Sequence, residues 1–302
     1  MDRTISYHMP KEYEGHKISE YLHNRGYSNP NLAALRHSDG AILLNGREVF
    51  MNTRLKEGDL LTVNIRETEV SGKIPPVELP FEVLYEDEDL LVVNKPADMP
   101  IHPSMKNYYN TLGNAAAWYF AKQGKPFVYR CVNRLDRDTT GLTIIAKHTV
   151  SCSILYDAVK DRRIEREYTA IVCGEDLPDS GTVDLPLGRA AESVVERTVD
   201  FEHGDRAVTH YRVIDRGKGL CALKLHLETG RTHQIRVHMK AIGHPLIGDW
   251  LYNPTDTHMK RQALHAGKLS FPHPMTGEPM TFEAPLPADM QAVLADLQKI
   301  EE

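Results

Sequence analysis

The strongest constraint on the fold is a series of strand-like segments that no regular strand–helix–strand rhythm connects. After Pro80, apolar and polar residues alternate in EREYTAIVCG, where Tyr168 and Val172 share one face, and again in ALKLHLETG. A helical pattern extends from Thr149, its expected N-cap, to Asp161, but helices do not alternate with the strands. We therefore predict an α+β fold with a mixed, largely antiparallel central sheet flanked by helices.

The segment before this sheet has the pattern of a small α/β module over residues 1–66. Two short helical patterns precede a strand and a turn at Asn45-Gly46, a dipeptide that favours positive φ. Residues 67–80 contain three prolines and no periodicity, which indicates a linker. Residues 81–302 are predicted to form one larger domain.

Composition excludes several classes of protein. The hydrophobic fraction of 41% can support a core, so the chain is not mainly disordered. Its apolar runs are far shorter than the ~20 residues of a membrane-spanning helix. The N-terminus has no apolar signal segment and the four cysteines include no CxxC pair. These features predict a cytoplasmic protein with reduced thiols and no membrane association.

The formal net charge of −6 is unevenly distributed along the chain. Residues 220–268 carry seven Lys and Arg against three Asp and Glu, whereas residues 269–302 carry one against six. Nucleic acid requires a local basic face rather than a basic average. The net charge therefore does not exclude a nucleic-acid partner.

The densest group of charged residues lies in VNRLDRDTTGLTIIAKH. Arg134, Asp136, Arg137 and Asp138 fall within five residues, directly before an apolar strand. Charged residues at the mouth of a strand suit a functional site better than a core. A solvated loop with ion pairs worth ~0–1 kcal/mol each is the alternative, and composition alone slightly favours it.

A second polar group lies in LETGRTHQIRVHMKAIGHPLIGDWLY. Gly230 ends a strand, Thr232 is a plausible N-cap, and Gly243 suits the end of the helix that follows. Arg231 then lies at a strand–helix junction, where side chains often face a cleft. Arg236 is expected on the basic outer face of an amphipathic helix.

In combination, these two groups resemble conserved stretches of the RluA-type family of RNA pseudouridine synthases. Five stretches carry the resemblance, in the family's order: LLVVNKPADMPIHPS (90–104), NRLDRDTTGLTIIAKH (133–148), EREYTAIVCG (165–174), LETGRTHQIRVHMKAIGHPLIGD (227–249) and LHAGKLSFPHP (264–274). The resemblance implies the pseudouridine synthase catalytic fold and an isomerase. Asn133 departs from the family's usual His, and Ala97-Asp98 stands near its usual Gly.

Residues 16–66 resemble a degenerate form of the small RNA-binding module shared with ribosomal protein S-four. The stretches ISEYLHNRG, AILLNG and LKEGDLLTV carry this resemblance, although residues 1–66 have a net charge of only +1. A small packing domain without RNA affinity is the alternative.

The family resemblance also implies roles for individual residues. Asp136 corresponds to the family's nucleophilic Asp, and Arg231 to the cation that keeps this carboxylate ionised. Tyr168 corresponds to the aromatic residue that stacks on the target uracil, with a hydroxyl that helps to remove the proton at carbon 5. Arg134 corresponds to the residue that fills the gap left by the flipped nucleotide.

Further residues of the two polar groups are expected to bind RNA: Arg137, His233, Gln234 and Arg236. No cofactor is implied, because the isomerisation is redox-neutral. No metal is expected either, since His233 and His238 are five residues apart rather than the four of a zinc-binding helix.

The resemblance favours RNA as the partner, ribosomal rather than transfer RNA, and a monomeric enzyme. Two other functions stay open at this point. One is a non-catalytic RNA-binding or ribosome-assembly factor on the same fold. The other is a carboxylate-based glycosidase, for which Asp138 is the only near candidate as second carboxylate.

Overall fold

The computed structural model describes residues 2–191 and 193–297. The N-terminal part of the protein is a small sheet with two helices. The elements of this part are β1 (Asp2–His8), a 3₁₀ turn (Lys11–Tyr13), α1 (Ile18–Asn24), α2 (Asn29–Arg36), β2 (Ile42–Leu44), β3 (Arg47–Glu48) and β4 (Leu60–Arg66). The antiparallel strand order is β1-β4-β2-β3. Asn45 and Gly46 join β2 to β3 with φ of 53° and 79°, so the predicted tight turn is confirmed.

A nine-stranded sheet forms the centre of the rest of the described chain. The strands after β4 are β5 (Glu82–Glu86), β6 (Leu90–Lys95), β7 (Thr140–Ala146), β8 (Glu165–Cys173), β9 (Ser180–Asp184), β10 (Leu187–Arg189), β11 (Arg197–Val199), β12 (Val208–Gly217), β13 (Leu220–Leu227), β14 (Leu264–Pro272) and β15 (Pro279–Glu283). The sheet order is β5-β6-β7-β14-β8-β13-β12-β9, with β15 beside β14, while β10 and β11 form a separate ribbon. Only β7 and β14 pair in parallel among these strands, which confirms a mixed, largely antiparallel sheet.

The parallel contact between β7 and β14 depends on a glycine. Gly141 has a φ of 113°, and a Cβ at this position would collide with the backbone of Ala266 on β14. A glycine is therefore required where the first polar group passes into its apolar strand.

Four further helices pack around the sheet: α3 (Leu112–Ala121), α4 (Thr149–Lys160), α5 (Gln234–Ala241) and α6 (Ala288–Leu297). Two predicted caps are wrong by one residue. His148 rather than Thr149 caps α4, because its Nδ1 accepts the N–H of Ser151 at 3.1 Å. His233 rather than Thr232 precedes α5, with a φ of 58°. None of the helices in the described ranges is long and apolar enough to cross a membrane.

The central sheet buries both of its faces, which explains the apolar composition of its strands. On β8, Tyr168 and Val172 pack into the main core together with Leu223 of β13, as the alternation predicts. Ile171 points to the opposite face and packs in a second core with Met290 of α6. Because both faces of β8 are buried, its register is fixed, and the register determines which face of the sheet carries Tyr168.

Residues 67–80 pack against the larger part of the protein. The carboxylate of Glu67 accepts hydrogen bonds from Arg130 at 2.9 Å and from the N–H of Thr149 at 2.8 Å. Asn114 donates to the carbonyl of Pro75 at 2.8 Å. The segment is thus fixed to the larger part of the protein by hydrogen bonds. The division at residues 66 and 80, and the likeness to the ribosomal protein module, stay predictions.

Candidate active site

A cavity of about 810 Å³ brings the two polar groups together. The loop before β7 contributes Arg134 and Asp136, the start of β8 contributes Tyr168, and the turn after β13 contributes Arg231. These residues lie up to 97 positions apart in the sequence, but the antiparallel order of β8 and β13 places their elements side by side. The volume is within the range of small-ligand sites and can admit one nucleoside.

The carboxylate of Asp136 is held by Arg236, whereas the sequence analysis assigned this contact to Arg231. Arg236 Nη1 donates to Asp136 Oδ2 at 3.1 Å. Its Nε and Nη2 each donate to Asp249 at 2.7 Å, in a two-point salt bridge. Arg231 instead forms an ion pair with Asp205 at 3.1 Å and is 44% exposed. The prediction for Arg231 as the partner of Asp136 is therefore wrong in this structure.

Arg236 is also buried, not on an outer face, and the reason is a second layer over α5. The segment after the helix folds back, so that the ring of Tyr252 lies 4.9 Å from the guanidinium of Arg236. Burial opposes the charged form, but the bonds with Asp249 and the charge of Asp136 outweigh it and raise the pKa of Arg236. Arg236 is thus a permanent cation beneath Asp136, and its position leaves no face for RNA.

Tyr168 lies in the wall of the cavity, on the strand between β13 and β14. Its side chain is 5% exposed, and burial raises the pKa of its hydroxyl. The hydroxyl is therefore protonated at neutral pH. The nearby negative charge of Asp136 raises the pKa in the same direction.

Arg134 is one of two predicted RNA-binding residues that are exposed. It is exposed at the cavity and makes a single long hydrogen bond of 3.4 Å to Thr232. Arg137 is also exposed but is paired with Asp98, the residue at the departure from the family pattern. Asn133, the other departure, is buried and bonds to the backbone of β7, so it acts within the fold.

Gln234 and His233 lie in a different environment from the one expected. Gln234 is 3% exposed, and its amide oxygen accepts the N–H of Arg231 at 2.9 Å. Its amide nitrogen donates to the carbonyl of Val208, so this side chain fastens the turn to β12. His233 lies 4.0 Å from Asp136 and bonds to the hydroxyl of Tyr252. Burial lowers the pKa of His233, which is therefore neutral at pH 7.

Sequence reasoning missed Asp249 and Lys95. Asp249 falls within a stretch quoted for the resemblance, but nothing in the sequence indicates that it reaches Arg236. Lys95, at the end of β6, is fully buried and its ammonium donates to the carbonyl of Arg137 at 2.8 Å. Burial lowers the pKa of Lys95 to about 7. Lys95 thus supports the loop before β7 from within the fold, and Asp249 supports Arg236.

A cluster of three side chains outside the cavity has metal-like spacing. Ligand atoms of Asp87, Asp89 and His273 lie within 4.8 Å of one another. The guanidinium of Arg3 already donates to both oxygens of Asp89, and Nε2 of His148 donates to this carboxylate at 2.8 Å. A cation would compete with these contacts, so the cluster is better described as the junction between β1 and the central sheet.

Comparison with known proteins agrees with this geometry. A family model described as RNA pseudouridylate synthase matches residues 89–241. The Bacillus subtilis protein named uncharacterized RNA pseudouridine synthase YjbO is 42% identical over 277 residues, which cover 92% of this chain and 98% of that protein. Ribosomal large subunit pseudouridine synthase D of Pasteurella multocida is 41% identical over 250 residues, 77% of this chain and 76% of that protein.

The solved structures share the fold at lower identity. Human RNA pseudouridylate synthase domain containing 1 superposes with a TM-score of 0.60 and 24% identity, over 75% of this chain and 98% of that one.

Proposed function

This chain belongs to the RNA pseudouridine synthase family and is an isomerase, and on that premise we propose that it modifies uridines of large-subunit ribosomal RNA with Asp136 as the nucleophile. The observation that carries the proposal is a carboxylate, an aromatic ring and an exposed arginine in one cavity. Relatives named for the large ribosomal subunit support the choice of RNA.

The chemistry that we propose is a rearrangement within one nucleotide. The bond between N1 of uracil and C1′ of ribose breaks, the base turns, and C5 bonds to C1′. C5 loses a proton and N1 gains one, so substrate and product are isomers. A carboxylate can act as a covalent catalyst at an anomeric carbon, as in retaining glycosidases.

Arg236 supports this role because it keeps a charge next to Asp136 at every accessible pH. Asp136 attacks as an anion, and the guanidinium 3.1 Å away orients its carboxylate through a charge-assisted hydrogen bond. The Asp136 side chain is 23% exposed and borders the cavity, so its free oxygen is available to substrate.

We assign Tyr168 to stacking against the uracil, because its ring forms the cavity wall and its hydroxyl stays protonated. Arg134 is assigned to the gap left by the flipped nucleotide, since a single long hydrogen bond leaves it free to move. Extrusion of a stacked base costs a few kcal/mol, which such a side chain can offset.

We also propose a cytoplasmic monomer. The relatives named above are bacterial, and bacterial ribosomes are assembled in the cytoplasm. Residues of one chain suffice to build the cavity. Arg231 is proposed as an RNA contact at the rim rather than as a partner of the nucleophile, because it lines the cavity and is 44% exposed.

The test is to map pseudouridines in total RNA from cells with and without the gene, by chemical marking and sequencing. The deletion strain is complemented with wild type, Asp136→Asn or the matched control Asp138→Asn, which changes a neighbouring carboxylate. We expect one or more ribosomal sites to vanish and to return with wild type and Asp138→Asn only. Conversion by Asp136→Asn would refute the assigned nucleophile, and a protein that binds ribosomal RNA but converts nothing would be an assembly factor.

A further inference from the structure

Arg166 is a charged residue of the catalytic cavity whose hydrogen-bonding capacity is unused. It lies on β8 two residues before Tyr168, on the same face of the strand, and lines the cavity. Its Nε is shielded from solvent and has no hydrogen-bond partner. A buried donor without an acceptor is unusual in a folded protein and requires an explanation.

The other arginines that line the cavity have partners among the described residues. Arg162 is paired with Glu228 at 3.0 Å, Arg231 with Asp205, and Arg137 with Asp98. Arg134 has its long bond to Thr232. Over the same part of the chain, the guanidinium of Arg166 forms neither a hydrogen bond nor a salt bridge.

Two carboxylates close to Arg166, one beside it in the sequence and one in the cavity, are bound by other side chains. Glu167, adjacent to Arg166, accepts from Lys224 at 2.7 Å. Glu228 accepts from Arg162, Arg206 and His210. These two anions are therefore paired with other cations, and neither is paired with Arg166.

A glycine makes room for this guanidinium. A Cβ on Gly230 would lie 2.9 Å from Nη1 of Arg166 and 3.6 Å from its Cζ. Gly230 does not have a positive φ, so its backbone conformation does not require a glycine. The glycine instead leaves space for the guanidinium of Arg166. The guanidinium thus rests against the backbone of the turn after β13.

We propose that Arg166 binds a phosphate of the substrate RNA that flanks the target uridine, with its guanidinium seated against Gly230. This inference rests on the proposed function. A guanidinium offers a planar fork of donors that matches two phosphate oxygens. Two residues along a strand span about 7 Å, comparable with the reach from a base to the phosphate of its own nucleotide. The spacing thus matches a uracil against Tyr168 with a flanking phosphate at Arg166.

The experiment uses a synthetic RNA of about 20 nucleotides around the uridine that deletion mapping identifies. Each linkage near this uridine is replaced, one at a time, by a neutral methylphosphonate. Dissociation constants and single-turnover rates are measured for wild type, Arg166→Met, Arg166→Lys and Gly230→Ala. Arg162→Met is the matched control, because it removes the same charge from the same cavity but from an arginine that already has a partner.

For wild type, we expect one flanking methylphosphonate to weaken binding about tenfold, as for loss of a charge-assisted hydrogen bond. Arg166→Met should bind the unmodified RNA about tenfold more weakly and lose nothing further at that linkage. Its rate at saturating RNA should stay within about twofold of wild type. Arg166→Lys should recover part of the affinity. Gly230→Ala should behave like Arg166→Met, because its methyl group would displace the guanidinium of Arg166 without moving the backbone.

Arg162→Met should keep the tenfold sensitivity at the same linkage. If Arg166→Met also keeps it, Arg166 does not bind that phosphate and the inference is overturned. A wild-type protein that binds this RNA without forming pseudouridine would refute the proposed function instead, and the linkage comparison would still decide the role of Arg166.

Discussion

Replacing Arg236 with methionine should destabilise the protein by about 3–5 kcal/mol, the usual cost of leaving a buried charge without its partner. Asp249 has no exposed side-chain surface and receives two charged hydrogen bonds of 2.7 Å from Arg236. Among the described residues, the backbone N–H groups of Leu251 and Tyr252 would be the donors left to it after the substitution. Because domains unfold at about 5–15 kcal/mol, the loss is a large share of the total.

Two further variants separate the structural and catalytic contacts of Arg236. Asp136→Asn should cost only about 1 kcal/mol, since Asp136 is 23% exposed and the pair with Asp249 stays intact. Adding Asp249→Asn to Arg236→Met should recover roughly 2 kcal/mol, because it removes the unpaired charge and keeps an acceptor for the backbone. Activity should not return, since Asp136 still lacks its cation.

Urea unfolding followed by tryptophan fluorescence measures the stabilities, and single-turnover pseudouridine formation measures activity. The reasoning is refuted if Asp136→Asn destabilises as much as Arg236→Met, or if the double variant is no more stable than Arg236→Met. Recovery of activity in the double variant would show that Asp136 does not need Arg236.

Three other predictions concern residues around the site. Burial opposes ionisation of Asp89, but hydrogen bonds from His148 and Arg3 outweigh it and lower the pKa of Asp89 to about 2. About 1 kcal/mol of stability should therefore be lost as the pH falls from about 4 to 2. Asp89→Asn should remove this pH dependence in acid-unfolding curves. Burial lowers the pKa of Lys95 to about 7. Above pH 7 the unfolded chain therefore binds more protons than the folded protein, so the free energy of unfolding should rise between pH 7 and about 10. Lys95→Met should flatten that rise in urea unfolding. Asn133→Ala should cost about 2 kcal/mol in thermal unfolding, because it leaves the carbonyl of Leu142 and the N–H of Ile144 on the buried strand β7 without their partner. Asn133→Val refills the space but offers no donor or acceptor, so it should recover little of this cost if the hydrogen bonds are responsible.

The sequence determined the architecture because the relevant signals are local. Alternation predicted β8 and β13 of the central sheet, and the Asn45-Gly46 turn and the stop at Gly243 depend on backbone preferences of single residues. The motif order also sufficed to identify the family. In each case the information lies within a few consecutive residues.

The tertiary structure decided which arginine supports Asp136. An amphipathic pattern indicates which face of a helix packs on the sheet, but not whether a distant segment covers the other face. Here Tyr252 and Asp249 return over α5 and bury Arg236, while Arg231 turns outward to Asp205. The partner of a buried charge depends on the path of segments far apart in the chain, and only the folded structure contains that path.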